Sequence, residues 1–340
     1  MTTSNNAGSD LFDVVIIGCG RIAGGIEEAR LDDGVAPVSH AGAYRAHPNF
    51  RVVACIEPDE KRRQEFMSYW DVPHGFADLA SFVDSGVQVD VASVCSPNAF
   101  HIEHLKALLP LELKGVFCEK PLAETAKRAV EIAQAYERAG VPLLVHYLRR
   151  WVPEIATLKQ DIDSGAWGDL LNVVAYYSKG LKHNGSHVVD LLTYFFGKLT
   201  PLYALSALVD HDPNDPSISA VLKTPDNKMV HLLTGDERQF QHIEASFLFT
   251  GGRVDMENLG RTFRFRKRAP DKAIPGIMTI SETKRVHPDT PAAINDAVEN
   301  LYQCILGKSE LNGDGASAVD ALQTCEAISD LWKVRDGAAH

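Results

Sequence analysis

Apolar and polar positions repeat along this chain in two different ways, and the change falls near residue 148. In the first part, short apolar runs at 14–17, 51–56, 87–95, 115–118 and 141–146 read as strands. Longer stretches of helical pattern, such as 122–139, separate them. Strands that alternate with helices predict β-α-β units and a parallel sheet. Beyond Arg149, residues 154–164 look helical and end at Gly165, and 170–178 looks like a strand. An amphipathic helix over 187–196, with Val188, Leu191, Leu192 and Phe195 inward, stops at Gly197. Strand-like runs then crowd together at 202–209, 218–223, 228–234, 242–249, 253–257 and 261–266, which predicts a mostly antiparallel sheet. The basic, proline-bearing segment 267–291 reads as a long loop. In the closing helix, expected over about 314–335, Val319, Leu322, Cys325, Ile328 and Leu331 recur every third residue as a core face.

The first strand carries the chemistry. Val14–Ile17 feeds Gly18-Cys19-Gly20, and helix formers follow, with Ala23 at the third fingerprint position and Gly24 behind it. A tight turn at Gly18 and a bare backbone at Gly20 suit the approach of a dinucleotide pyrophosphate to helix N-terminal amides. Gly18, Gly20, Arg21, Ile22 and Ala23 are therefore candidate cofactor contacts, and nothing resembles a P-loop. The second strand ends at Glu57, an acid able to accept bonds from both ribose hydroxyls, which favours NAD over NADP. Its distance from Gly24, 33 positions, exceeds the roughly 20 expected and implies an inserted loop around 30–38. Lys61, Arg62 and Arg63 read as a solvated helix face, although one could meet a 2′-phosphate, so NADP stays open.

Charge and composition narrow the class. With 340 residues, about two domains are expected. A net charge of −11 argues against a general nucleic-acid binder, and no apolar run is long enough to cross a membrane. The polar first ten residues read as a tail without a leader pattern. Six dispersed cysteines (19, 55, 95, 118, 304 and 325) look like reduced thiols, which points to the cytoplasm.

Further candidates lie at strand ends. Ser96-Pro97 follows the third strand, His101 opens the next helix, and the strand at 115–118 delivers Glu119, Lys120 and Pro121. A lysine at such a lip can donate to a carbinol oxygen. Ser39 reads as a helix cap with His40 behind it. Arg149 and Arg150 either meet an anionic substrate or pair across the domain junction, and Tyr176, Tyr177 and Lys179 either line a sugar pocket or pack.

The chain resembles the glucose–fructose oxidoreductase/inositol dehydrogenase family. The likeness is carried by the fingerprint at 18–24, Ser96-Pro97 with His101, and Glu119-Lys120-Pro121. It continues through Arg150 with Pro153, Gly165-Ala-Trp-Gly168, Gly185-Ser-His187-Val-Val-Asp190, Gly251-Gly252-Arg253 and the helix beginning Asp314-Gly-Ala-Ser-Ala-Val. The resemblance implies a Rossmann-type doubly wound parallel sheet over 10–148. It also implies an α+β second domain over 149–340, with a large open sheet used for dimer or tetramer formation. It implies an NAD(P)-dependent enzyme acting on a secondary hydroxyl or ketone of a sugar, cyclitol or nucleotide sugar. Lys120 would touch nicotinamide and the reacting hydroxyl, and Glu119, Ser96, Pro97 and His101 would lie along the cofactor. His187 would exchange the proton. Asp190, His183, Arg150 and Tyr177 would face the substrate.

One position departs from the pattern: His183 stands where the family's inositol dehydrogenases usually carry an aspartate. His183 and His187 are four apart, but Asn184-Gly185-Ser186 reads as a turn and cap, so the helix should start after His183 and no metal is expected. Two other readings are a nicotinamide-binding sensor without turnover and a reductase of a non-sugar substrate.

Overall fold

The computed structural model describes residues 11–25 and 36–337. The polar tail at 1–10 and most of the insertion near 30–38 lie outside them. The chain forms two compact units, one of residues up to 124, 131–146 and 291–315, the other of 125–130, 147–290 and 316–340.

The first unit is built on a six-stranded sheet: β1 (Phe12–Ile17), β2 (Phe50–Ile56), β3 (His74–Phe76), β4 (Val91–Val94), β5 (Gly115–Cys118) and β6 (Leu143–Val145). The order is β3-β2-β1-β4-β5-β6 and every pairing is parallel. Val14–Ile16, Val91, Ala92, Val94 and Val116–Cys118 are fully buried, as continuous apolar runs in a sheet covered on both faces should be. The expected boundary at 148/149 misses a return of the chain. Helix Ile294–Ile305 packs on β5, where a Cβ added to Gly115 would lie 3.0 Å from Leu301 Cδ1. That helix therefore belongs to the first unit, and its buried face of Ile294, Ala297, Val298 and Leu301 explains why.

The second unit holds an eight-stranded sheet: β7 (Leu170–Tyr177), β8 (Thr200–Asp212), β9 (Asp215–Lys223), β10 (Met229–Thr234), β11 (Ile243–Phe249), β12 (Gly252–Glu257), β13 (Thr262–Pro270) and β14 (Met278–Val286). Its order is β14-β13-β12-β11-β7-β10-β9-β8, antiparallel except between β7 and β10. The segment expected as a loop over 267–291 is instead largely a hairpin. Among the described residues β14 pairs only with β13, and almost all its residues are exposed on both faces, so no alternation betrays it. Charged rungs hold β13 to β12, through Arg264 with Glu257 and Arg266 with Asp255. The closing helix runs Gly315–Gly337 with Leu322, Cys325 and Ile328 buried. No helix among the described residues is long and apolar enough to cross a membrane.

Candidate active site

β1 lies between β2 and β4, where the strand order reverses and open α/β sheets place their ligands. Gly18 has φ +87°, and a Cβ there would meet Ser96 N and Cα at 2.8 Å, so the turn admits only glycine. Gly20 is the opposite case. Among the described residues, nothing lies within 4 Å of the position a Cβ would take, which leaves the backbone open on that side. The amides of Ala23, Gly24 and Gly25 all aim at the Gly20 carbonyl, at 3.2, 3.3 and 3.3 Å, closing one wide turn over Arg21–Gly25. Ala23 is buried, Gly24 lies against the Trp70 and Phe66 rings, Arg21 is exposed and Ile22 half-buried.

Glu57, only 5% exposed, follows β2. Its Oε2 accepts the Cys19 amide at 3.0 Å and its Oε1 the Asp59 amide at 3.1 Å. Of the three cations beyond it, Arg63 donates to the Glu57 carbonyl at 2.6 Å, Lys61 reaches Glu65 at 3.8 Å, and Arg62 stands 3.5 Å from the Glu57 carboxylate. An open glycine turn beside a carboxylate at the next strand's end fits a dinucleotide with free ribose hydroxyls. Ser96 shares a hydrogen bond with His104 Nδ1 at 2.9 Å, and Pro97 is exposed.

The carboxyl end of β5 carries Glu119, half-buried Lys120 and a cis Lys120–Pro121 bond. Two expectations change here. His101 is buried, with Nδ1 2.8 Å from the Pro121 carbonyl and Nε2 2.9 Å from the Ser96 carbonyl, so it latches two loops together rather than facing a cofactor. The Glu119 carboxylate is likewise engaged within the protein: Oε1 accepts from His146 Nδ1 at 2.6 Å and from His40 Nε2 at 3.1 Å. Burial alone would raise the Glu119 pKa, but the charge and hydrogen bond of His146 and the bond from His40 carry it well below the usual carboxylate value. Neither histidine was singled out as chemistry in the sequence. His146 had one available signal, its place just beyond an apolar parallel strand. Ser39 caps helix His40–Ala46 as expected, accepting the Gly42 amide at 3.2 Å.

In the second unit, His187 is the second residue of helix Ser186–Phe196 and half-buried, with the Tyr147 ring edge-on at 5.6 Å. Burial, with Asp190 nearby, holds the Tyr147 phenol well above its ordinary pKa, so it stays neutral. Asp190, 1% exposed, accepts from Arg150 Nε at 2.9 Å and from its terminal nitrogen at 2.9 Å. Arg150 also lies over the Tyr194 ring at 5.0 Å. The two residues expected at the substrate thus hold each other, and they pin the helix that carries His187. Tyr177 is a core residue: it is fully buried, with its hydroxyl donating to the Ile218 carbonyl at 2.9 Å and accepting the Ile218 amide at 2.6 Å.

The helical backbone does not start after His183. A wide turn over Gly180–Gly185 runs straight into the helix, and Ser186, instead of capping, donates to the Lys182 carbonyl at 2.6 Å. Asp215 accepts the Lys182 and His183 amides at 2.8 and 2.9 Å, so the carboxylate here comes from β9. The exposed His183 ring neighbours His211 at 5.7 Å.

Comparison with known proteins matches residues 12–147 to the oxidoreductase family with an NAD-binding Rossmann fold. A D-apiose dehydrogenase from Paraburkholderia graminis is 24% identical over 66% of this chain and 64% of its own length. A D-glucoside 3-dehydrogenase from Escherichia coli is 30% identical over 46% of this chain and 40% of its own. The chain therefore matches less than two thirds of either relative. Among solved structures, the WlbA dehydrogenase from Bordetella pertussis, in complex with NADH and UDP-GlcNAcA, superposes with a TM-score of 0.73. It is 20% identical, over 96% of this chain and 97% of that one. Scyllo-inositol dehydrogenase from Lactobacillus casei gives a TM-score of 0.73 at 16% identity over 95% and 96%. Both share the fold.

Proposed function

We propose that this chain, whose residues 12–147 match the oxidoreductase family with an NAD-binding Rossmann fold, is an NAD-dependent dehydrogenase of sugars or cyclitols. It moves a hydride between nicotinamide and a carbon bearing a secondary hydroxyl or ketone. The observation that carries this reading is the open Gly20 turn held against Glu57, with Lys120 at the end of β5 in the same unit. Relatives named for D-apiose, D-glucosides and inositol support the substrate class.

The bound cofactor supplies the hydride acceptor or donor. The bare backbone at Gly20 would let the diphosphate approach the turn, and Glu57 would take the ribose hydroxyls. Lys120 is the group that binds the reacting oxygen, its ammonium stabilising negative charge as the hydroxyl proton leaves. In the second unit, the half-buried His187 imidazole is the group suited to proton exchange near neutral pH. Arg150 and Asp190 keep the His187 helix in place.

The test is reduced-nicotinamide absorbance with NAD or NADP and D-apiose, D-xylose, methyl glucoside, myo-inositol, scyllo-inositol and a UDP-sugar. Turnover with NAD that falls about 10²-fold or more in Lys120→Ala, with cofactor binding retained, is the expected result. NAD binding without turnover on the panel would replace the enzyme reading with a sensor. Turnover of non-sugar ketones alone would replace the substrate class.

A further inference from the structure

Glu119 sits at the end of a chain of donors that the proposed chemistry does not use. The Tyr44 hydroxyl donates to Ser93 Oγ at 3.5 Å, and Ser93 Oγ lies 2.6 Å from His40 Nδ1. With Ser93 donating, Nε2 is the protonated nitrogen of a neutral His40 and donates to Glu119 Oε1, which His146 reaches from the other side. Phe117 packs against both rings, at 4.3 Å from His40 and 5.1 Å from His146. The cluster is buried and joins the ends of β4, β5 and β6 to helix His40–Ala46.

His40, Glu119 and His146 offer three donor atoms within 4.8 Å of one another, a set that could also take a divalent cation. The distances decide against it. Two ligands of a tetrahedral zinc, each bound at about 2.0 Å, sit about 3.3 Å apart. Here both imidazoles converge on one carboxylate oxygen, at 2.6 and 3.1 Å, as hydrogen-bond donors do.

Lys120 lies between two anchors. On one side, the Glu119 amide donates to the Val94 carbonyl at 2.9 Å while its carboxylate is held by the two histidines. On the other, the Pro121 carbonyl is tied to His101 at 2.8 Å. We propose that His40 and His146 are positioning residues, which fix Glu119 and through it the backbone that presents Lys120. This rests on the dehydrogenase reading above. It predicts a defect in turnover, transmitted through Lys120, rather than in cofactor affinity.

The test is a double-mutant cycle on the polyol that turns over best in the panel. His146→Leu should lower kcat about tenfold or more, with KM for NAD and NAD binding changed less than about twofold. In the Lys120→Ala background the same substitution should cost nothing further. His146→Asn, whose amide nitrogen can occupy the Nδ1 position, should restore most of kcat, as should His40→Gln for the loss in His40→Leu. Glu119→Gln should reproduce the loss if His146→Leu does not fold. Hydrogen exchange needs no substrate: amides of residues 115–122 should exchange faster in His146→Leu while the rest of the sheet is unchanged. Unchanged kcat, additive losses, no recovery with Asn, or stoichiometric zinc in the purified protein would each overturn the proposal. A wild-type protein that turns over nothing would instead defeat the dehydrogenase reading, with the exchange result still showing whether the brace exists.

Discussion

Glu57 Oε2 accepts the amide of Cys19 at 3.0 Å, which places a buried carboxylate from the end of β2 against the central residue of the glycine turn. Arg62 stands 3.5 Å away on the exposed side. A 2′-phosphate entering there would meet the Glu57 charge before it could use Arg62. Glu57→Ser should therefore shift the ratio of NADP to NAD affinity by about tenfold or more toward NADP, about 1.4 kcal/mol. Titration of both cofactors by protein fluorescence measures it, and an unchanged ratio would remove Glu57 as the selecting group.

The two turn glycines should separate folding from binding. Gly18→Ala forces φ +87° on an L-residue and drives its Cβ to 2.8 Å from Ser96, so it should lose at least about 1–3 kcal/mol of stability. Gly20→Ala has open space among the described residues and should stay within about 0.5 kcal/mol of wild type. Its methyl occupies the side offered to the diphosphate, so NAD affinity should fall about tenfold. Thermal melting and calorimetric titration on the pair check both halves.

The Arg150–Asp190 pair is buried on both sides, so breaking it leaves an uncompensated charge. Asp190→Ala should cost about 3–5 kcal/mol, whereas Arg150→Met combined with Asp190→Leu should cost much less. Urea unfolding of the three variants shows which. If the single and double variants lose the same stability, the ion pair is not what holds the His187 helix.

Glu119 gives an acid-range prediction with a definite sign. Its folded pKa is depressed, so its contribution is complete above the ordinary carboxylate value of 4.5 and is lost as pH falls through the lower folded value. The stability gap between wild type and Glu119→Gln should narrow as pH falls below about 4.5. A gap that widens on acidification would mean the carboxylate is not held as an anion.

Much of this was legible along the chain. The continuous apolar runs of β1, β4 and β5 announced a covered parallel sheet, and Gly18, Gly20 and Glu57 could be placed at its lip from strand ends alone. Tyr177, expected at the substrate, is instead core, and the period-2 pattern already carried that reading: Val173, Ala175 and Tyr177 share one face of β7, and all three are buried. The β13–β14 hairpin was not legible, since a strand exposed on both faces has no apolar period to read.

Local pattern alone determined most of the elements and the glycine turn, because strand and helix periods and a positive φ are properties of neighbouring residues. Only the tertiary structure decided which charged and polar side chains meet. Arg150 finds Asp190 across 40 positions, and Glu119 finds His146 across 27 and His40 across 79. Pairing at those separations depends on which strands lie side by side and on which buried charges need a partner, and no window of the sequence contains either fact.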